Sequence, residues 1–337
     1  MSQDAAPPAS SAPPSPSYRC APWTRAQGVD PVGSALDCDT LVLVEVPPPW
    51  PRDVTGMPVF APLRGRLPDR TRLLAVRPPD DGADEHLEHD EGGGDGGGGD
   101  LRVTIWRRRT GAGGFSGTDH RVPAAGLAAL VEAPDADPDR RTAPAEVLLC
   151  GHGARDACCG RLGTRLALDA AASWPGVRVR RCSHTGGHRY APTGVTLPSG
   201  RAWGYLDAAV LDGIVRRSGP PPLRGRYRGA IGLDAWAQAA ERELFERFGW
   251  AWLDHRLTRT RTRVAPGGRS ATVELAWQGP GGPGAATATV EQVRDVPVLV
   301  CGRPPEEAEK TAPELAVRSF TTRFPATATA APGPGRT

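Results

Sequence analysis

A chain of 337 residues, 23% of them charged and 39% hydrophobic, is long enough for about two domains with sizeable cores. Its net charge of +3 is too small to argue for nucleic acid or an anionic membrane surface. No run of about 18 apolar residues exists, so no membrane insertion is expected.

The first seventeen residues are rich in Pro, Ser and Ala and predict a disordered tail over 1–17. They lack the basic start and apolar stretch of a secretory signal, so a cytoplasmic, reducing location is expected. There, seven cysteines point to metal or redox chemistry rather than to disulfides. Thr40–Val46, Thr71–Val76 and Leu101–Trp106 read as strands and Ala124–Glu132 as a short helix, giving a small N-terminal α/β unit over 18–145. Pro78–Asp100 interrupts it with nine Asp/Glu, no Lys or Arg, and seven glycines in its last nine residues. This composition predicts a disordered acidic and glycine-rich insertion at 78–100.

The stretch 146–220 is more regular. A strand, Glu146–Leu149, leads into the loop GHGARDACCG, then into a helix over Arg161–Ser173 stopped by Pro175–Gly176. A strand at Val177–Arg181 leads into SHTGGHRYAP. Gly194–Leu197 and Ala202–Tyr205 form a hairpin across LPSG, and Asp207 caps a helix. This order leaves the chemistry-bearing residues in loops at strand ends, where α/β sheets commonly present ligands. A C-terminal α/β extension over 221–302 contains a helix at Asp234–Phe248, whose Trp236, Ala240, Leu244 and Phe248 stripe reads as core. Strands are expected at Ala271–Trp277, Ala286–Val290 and Val296–Cys301. Beyond Gly302, Pro, Ala, Thr and Glu return and predict a disordered tail over 303–337.

Two loops carry the chemistry. Cys150 and Cys159 are separated by eight residues, and His184 and His188 by three. Thiolates bind iron–sulfur clusters, and histidines can replace two of them on one iron. The four residues therefore suffice in number for a 2Fe–2S cluster, with Cys158 an alternative to its neighbour Cys159. Gly186 and Gly187 argue for a loop between the histidines and would let backbone N–H groups approach the sulfides. No glutamate follows His184, which excludes the zinc-protease helix motif. His152 is a candidate hydrogen-bonding neighbour of the cluster. Arg155 either offsets its charge or pairs with Asp156. Cys20, Cys38, Cys182 and Cys301 read as small buried side chains.

The segments Cys150-Gly-His-Gly-Ala-Arg155-Asp156, Cys159-Gly160 and Ser183-His184-Thr-Gly-Gly-His188-Arg189-Tyr-Ala-Pro192 resemble the sucrase/ferredoxin-like family. Leu197–Tyr205 is similar too, and more loosely Cys38–Pro51 and Leu223–Gly229. The resemblance implies a thioredoxin-like 2Fe–2S ferredoxin domain, preceded by a smaller unit that is a candidate degenerate copy. It implies Cys150 and Cys159 as the thiolate pair, the residue directly before Gly160 being the ligand, and His184 and His188 as the imidazole pair. The function expected is one-electron transfer by a Rieske-like centre, proton-coupled through imidazole. The chain then acts as a carrier rather than an enzyme with its own substrate. No Gly-x-Gly-x-x-Gly follows an expected strand, so a separate reductase and an electron acceptor are the expected partners. Two rival readings use the same residues: a structural Cys2His2 zinc site, and a cofactor-free thiol oxidoreductase. The first lacks the usual tight cysteine knuckle, and the second lacks a Cys-x-x-Cys.

Overall fold

The computed structural model of the protein describes residues 18–79, 99–109 and 114–324. The expected tail at 1–17 and nearly all of the 78–100 insertion lie outside the described residues. In chain order the elements are α1 (Cys20–Ala26), β1 (Thr40–Glu45), β2 (Thr71–Val76), β3 (Leu101–Arg108), β4 (Phe115–Val122), α2 (Leu127–Glu132), β5 (Arg141–Thr142) and β6 (Ala145–Cys150). There follow α3 (Thr164–Ala170), β7 (Val177–Cys182), β8 (Gly194–Leu197), β9 (Arg201–Trp203), α4 (Ala208–Arg216), β10 (Tyr227–Ala230) and α5 (Ala235–Phe248). The last four strands are β11 (Arg256–Val264), β12 (Ser270–Gly279), β13 (Gly282–Pro297) and β14 (Thr311–Arg323).

The first ten strands form one sheet in the order β10-β9-β8-β6-β7-β2-β1-β3-β4-β5. That order contains the same unit twice. In β2-β1-β3-β4 and in β7-β6-β8-β9, the first two strands in sequence are parallel, and the third and fourth add antiparallel on the far side of the first. The two units meet through corresponding strands, β2 and β7, which run antiparallel and pair at Val76↔Cys182. Since both of these residues end their strands, the loops leaving the carboxyl ends of the two units abut at the middle of the sheet. Trp50 of the first unit stands edge-on to His152 of the second, with ring centroids 5.9 Å apart, and the Pro51 carbonyl lies 2.9 Å from His152 Nε2. Elsewhere the units are bridged by charge. Arg180 bonds Glu146 and pairs with Glu45 at 3.4 Å, while Arg178 reaches Asp119 at 3.0 Å.

The remaining strands form a four-stranded antiparallel meander, β11-β12-β13-β14. Strand β12 buries every second residue, Ala271, Val273, Leu275 and Trp277, as expected for a sheet with one dry face. That face closes on α5 through Ala237, Ala240 and Leu244. Asp234 caps α5 by accepting from the Ala237 N–H at 2.9 Å, as the sequence predicts. Beside this apolar face, Glu241 is fully buried yet satisfied by Tyr227 Oη at 2.7 Å, Arg201 at 3.2 Å and the Trp252 indole.

The disordered tail expected over 303–337 is corrected by β14, which pairs with β13 from Thr311↔Pro297 to Arg323↔Ala285. Its Thr, Arg and Ser side chains disguise the strand in composition. Leu315, however, is 3% exposed in the core, and Glu314 accepts from the Asp30 N–H at 2.8 Å. Residues 325–337 lie outside the described residues.

Candidate metal centre

Strands β6 and β7 are parallel and end opposite each other at Cys150 and Cys182. The Cys150 amide donates to the Thr193 carbonyl and the Gly151 amide to that of Cys182, both at 3.0 Å, so the first ligand candidate is anchored by the sheet itself. The following loop climbs away and returns as a single π-helical turn, Cys159–Gly163, running into α3. Glycine permits that return, because a Cβ on Gly163 would sit 1.8 Å from the Cys150 carbonyl oxygen. The close approach puts Cys159 beside Cys150.

The structure brings Cys150 Sγ, Cys159 Sγ and a ring nitrogen of His184 within 4.8 Å of one another. Both cysteines are fully buried, and Cys150 Sγ lies 3.9 Å from His184 Nδ1. The Cys159 thiol, burial-opposed but helped by His184, holds Cys150 well below the ordinary thiol range. Donation to Cys150 together with burial pushes Cys159 up. Burial also lowers the His184 pKa, against the pull of Cys150, and so favours the neutral imidazole that ligates metals. The trio thus joins two fully buried sulfurs to a half-buried imidazole, with Cys150 shifted toward thiolate and His184 toward the neutral ring.

His188 stands apart from this trio. Its ring is 5.9 Å from that of His184, and Nδ1 faces Asp156 Oδ2 at 3.4 Å without the alignment of a hydrogen bond. That nitrogen is buried and, among the described residues, has no hydrogen-bond partner. His188 also lines a cleft of about 120 Å³ with Arg52, Arg155, Arg303 and Lys310. A larger cavity, about 410 Å³ between Arg108, Phe115, Arg201 and Trp252, shares no residue with the Cys/His group. Arg155 therefore faces the cleft, and Asp156 turns inward.

Gly186 and Gly187 both adopt the left-handed region, at φ +78° and +64°. A Cβ on Gly187 would lie 2.7 Å from Arg228 Cζ, so the glycine makes room for a guanidinium behind the histidine loop. Arg228 is fully buried. It donates to the Ser34 hydroxyl at 3.1 Å and to the Ser34 carbonyl, while Nη1 is left without a partner. Burial lowers its pKa to about 10, with the Cys150 and Cys159 thiols among the groups that oppose the fall. Among the described residues no carboxylate pairs with it.

Cys158 does not join Cys150. Its sulfur lies 3.2 Å from that of Cys301, in a second group with Cys20 and Asp156. Cys38 and Cys182 sit among apolar side chains. Sequence reasoning passed over Arg228 and the partnership of Cys20, Cys158 and Cys301. No local spacing could signal contacts 143 and 281 residues apart.

The family profile described as Sucrase/ferredoxin-like matches residues 31–229, more than half of the chain. The chain belongs to that family. It is also similar to "Altered inheritance of mitochondria protein 32" of Meyerozyma guilliermondii, at 30% identity over 103 residues, 25% of this chain and 34% of that protein. The match thus spans about a third of the relative's length. No solved structure matches. No helix among the described residues is long and apolar enough to cross a membrane.

Proposed function

We propose that this member of the family is a one-electron carrier that holds a 2Fe–2S cluster on Cys150, Cys159, His184 and His188. The observation that carries the reading is the dry convergence of two thiols and an imidazole within 4.8 Å, beside the buried and carboxylate-free guanidinium of Arg228. His188, whose ring stands 5.9 Å from that of His184, is taken as the fourth donor. When bound, such a cluster supplies reversible one-electron storage, at a potential above that of an all-cysteine ferredoxin because imidazole replaces thiolate charge.

The residues around the site have separable tasks. Full burial of Cys150 and Cys159 excludes water from the thiolates. Arg228 sets an uncompensated positive charge behind the histidine loop, which favours the added electron. A ligand imidazole whose second ring nitrogen reaches solvent would couple the electron to a proton, so the potential should fall as pH rises; a flat profile from about pH 6 to 9 removes the proton coupling. The repeated strand order supports reading both units as thioredoxin-like, with the second carrying the ligands and the first degenerate. Electrons then arrive from a separate reductase and leave to a separate acceptor.

One observation favours a structural zinc ion instead: three donor atoms so close together also suit a single tetrahedral ion. Anaerobic purification discriminates. A red-brown chain with two irons and two labile sulfides, giving a paramagnetic signal on reduction, supports the carrier. A colourless chain with zinc bound by two sulfurs and two nitrogens refutes it.

A further inference from the structure

A second group of ligand-type side chains lies beside the first and is left unused by the function proposed above. Cys20 comes from α1, Asp156 and Cys158 from the loop after β6, and Cys301 from the segment between β13 and β14. One donor atom from each lies within 4.8 Å of all the others. The separations given by the structure are 3.2 Å for Cys158 Sγ to Cys301 Sγ, 3.6 Å for Cys301 Sγ to Cys20 Sγ, and 3.2 Å from Asp156 Oδ1 to the sulfurs of both Cys20 and Cys301. With metal–sulfur bonds of about 2.3 Å, the edge of a zinc tetrahedron is about 3.8 Å between sulfurs and somewhat less from sulfur to oxygen. The four donors already stand near the corners of such a figure.

We propose that Cys20, Cys158, Cys301 and Asp156 form a zinc site that clamps α1 and the connection between β13 and β14 onto the loop bearing Cys159. Three thiolates and one carboxylate make a soft-to-borderline, four-coordinate donor set with no position left for substrate, which is the composition of a structural site. Four donors packed this closely crowd around one ion, whereas a two-iron cluster divides its ligands between two. Backbone donors fit thiolate sulfur as well: the Cys20 amide lies 3.4 Å from Cys301 Sγ. Two further amides orient the carboxylate, Cys158 N–H to Asp156 Oδ1 at 2.8 Å and Cys301 N–H to Oδ2 at 3.1 Å. The Cys158–Cys301 separation is well beyond the roughly 2.05 Å of a disulfide. Cys20 and Cys301 lie outside the family-matched residues 31–229, whereas Asp156 and Cys158 lie within them.

The clamp has a consequence for the neighbouring site. Asp156 turns one oxygen toward the cysteines and the other toward His188 Nδ1, at 3.4 Å. A metal on the first oxygen fixes the carboxylate against the histidine and so positions that ring, whichever ion the Cys150 group holds.

The test uses the full chain, expressed with iron and zinc supplied and purified anaerobically. Metal analysis should find one zinc per chain beyond the metal of the Cys150 group. Zinc X-ray absorption should give three sulfurs and one oxygen, distinct from the two sulfurs and two nitrogens of a zinc in the Cys150 group. Cys20→Ser and Cys301→Ser should each lose this zinc and keep the other metal, and Cys150→Ser should do the reverse. Where a variant fails to fold, cobalt titrated into metal-depleted wild-type chain decides by stoichiometry: two equivalents with strong ligand-field and sulfur charge-transfer absorption support the second site, and saturation at one overturns it. Absence of zinc with freely titrating thiols overturns the proposal. So does zinc that follows Cys150 rather than Cys20, or a Cys158–Cys301 disulfide recovered by mass spectrometry.

Discussion

The sharpest prediction concerns Gly187 and the guanidinium it shelters. Gly187→Ala introduces two costs that the structure separates. The residue sits at φ +64°, where a side chain costs about 1–2 kcal/mol. Its new Cβ would also stand 2.7 Å from both Cζ and Nη2 of Arg228, which is fully buried and has nowhere to retreat without leaving Ser34. Loss of one charge-assisted hydrogen bond adds about 1.5–3 kcal/mol. The expected total is about 2.5–5 kcal/mol. In an Arg228→Met background the flexible thioether can move aside, and only the backbone cost of about 1–2 kcal/mol should remain. Urea unfolding of wild type, both single variants and the double variant measures the difference. A coupling of about 1.5–3 kcal/mol is expected, and one below about 0.5 kcal/mol would refute the contact. Iron retention read on the same four proteins reports whether the histidine loop moves with the guanidinium.

Cysteine substitutions should sort by group: Cys150→Ser and Cys159→Ser abolish iron binding, whereas Cys158→Ser and Cys182→Ser retain two irons per chain as measured by colorimetric assay. Leu315→Ala should cost about 2–5 kcal/mol, since the side chain is 3% exposed in the core beneath α5; an unchanged unfolding midpoint would return β14 to the status of a tail. Burial pushes the Cys38 thiol up to about 12, from an unfolded value near 9. A raised folded pKa gives stability that is complete below about pH 9 and is lost as pH climbs toward 12, by up to about 1.4 kcal/mol per pH unit. The stability gap between wild type and Cys38→Ala should therefore narrow over that window, and a constant gap would show the thiol ionising freely in the folded chain.

Strands such as β1 and β2 were legible because their Leu and Val runs lie in the middle of a sheet buried on both faces. The strand β4, FSGTDHRV, was not: its buried residues include a glycine and a histidine, and His120 is accommodated by Asp137 at 2.6 Å and Thr118 at 2.8 Å rather than by an apolar layer. In β14 the inward residues are few, so composition masked a strand that pairs along its whole length. The two site loops could be read locally, since cysteines, histidines and glycines cluster there within a few residues. The duplicated strand order could not, because it depends on which strands pair. The same limit hid Cys20 and Cys301, whose partners are set by how the chain ends fold back.

The duplication explains why one unit bears the proposed ligands and the other does not. The Val46 amide bonds the Val76 carbonyl as the Gly151 amide bonds that of Cys182, so Glu45 holds in the first unit the place that Cys150 holds in the second. A carboxylate there pairs across the sheet with Arg180 at 3.4 Å instead of meeting a second loop cysteine. The loop that follows has neither Cys nor His to offer, and it sends Trp50 and Pro51 against His152. Antiparallel pairing of β2 with β7 at their last residues, Val76 and Cys182, makes this possible, because it lets the two loop ends meet at the middle of the sheet. The first unit thus contributes a wall rather than a site. Trp50→Ala should therefore disturb the loop between Cys150 and Cys159 and lower iron retention, whereas an unchanged iron content would refute the wall.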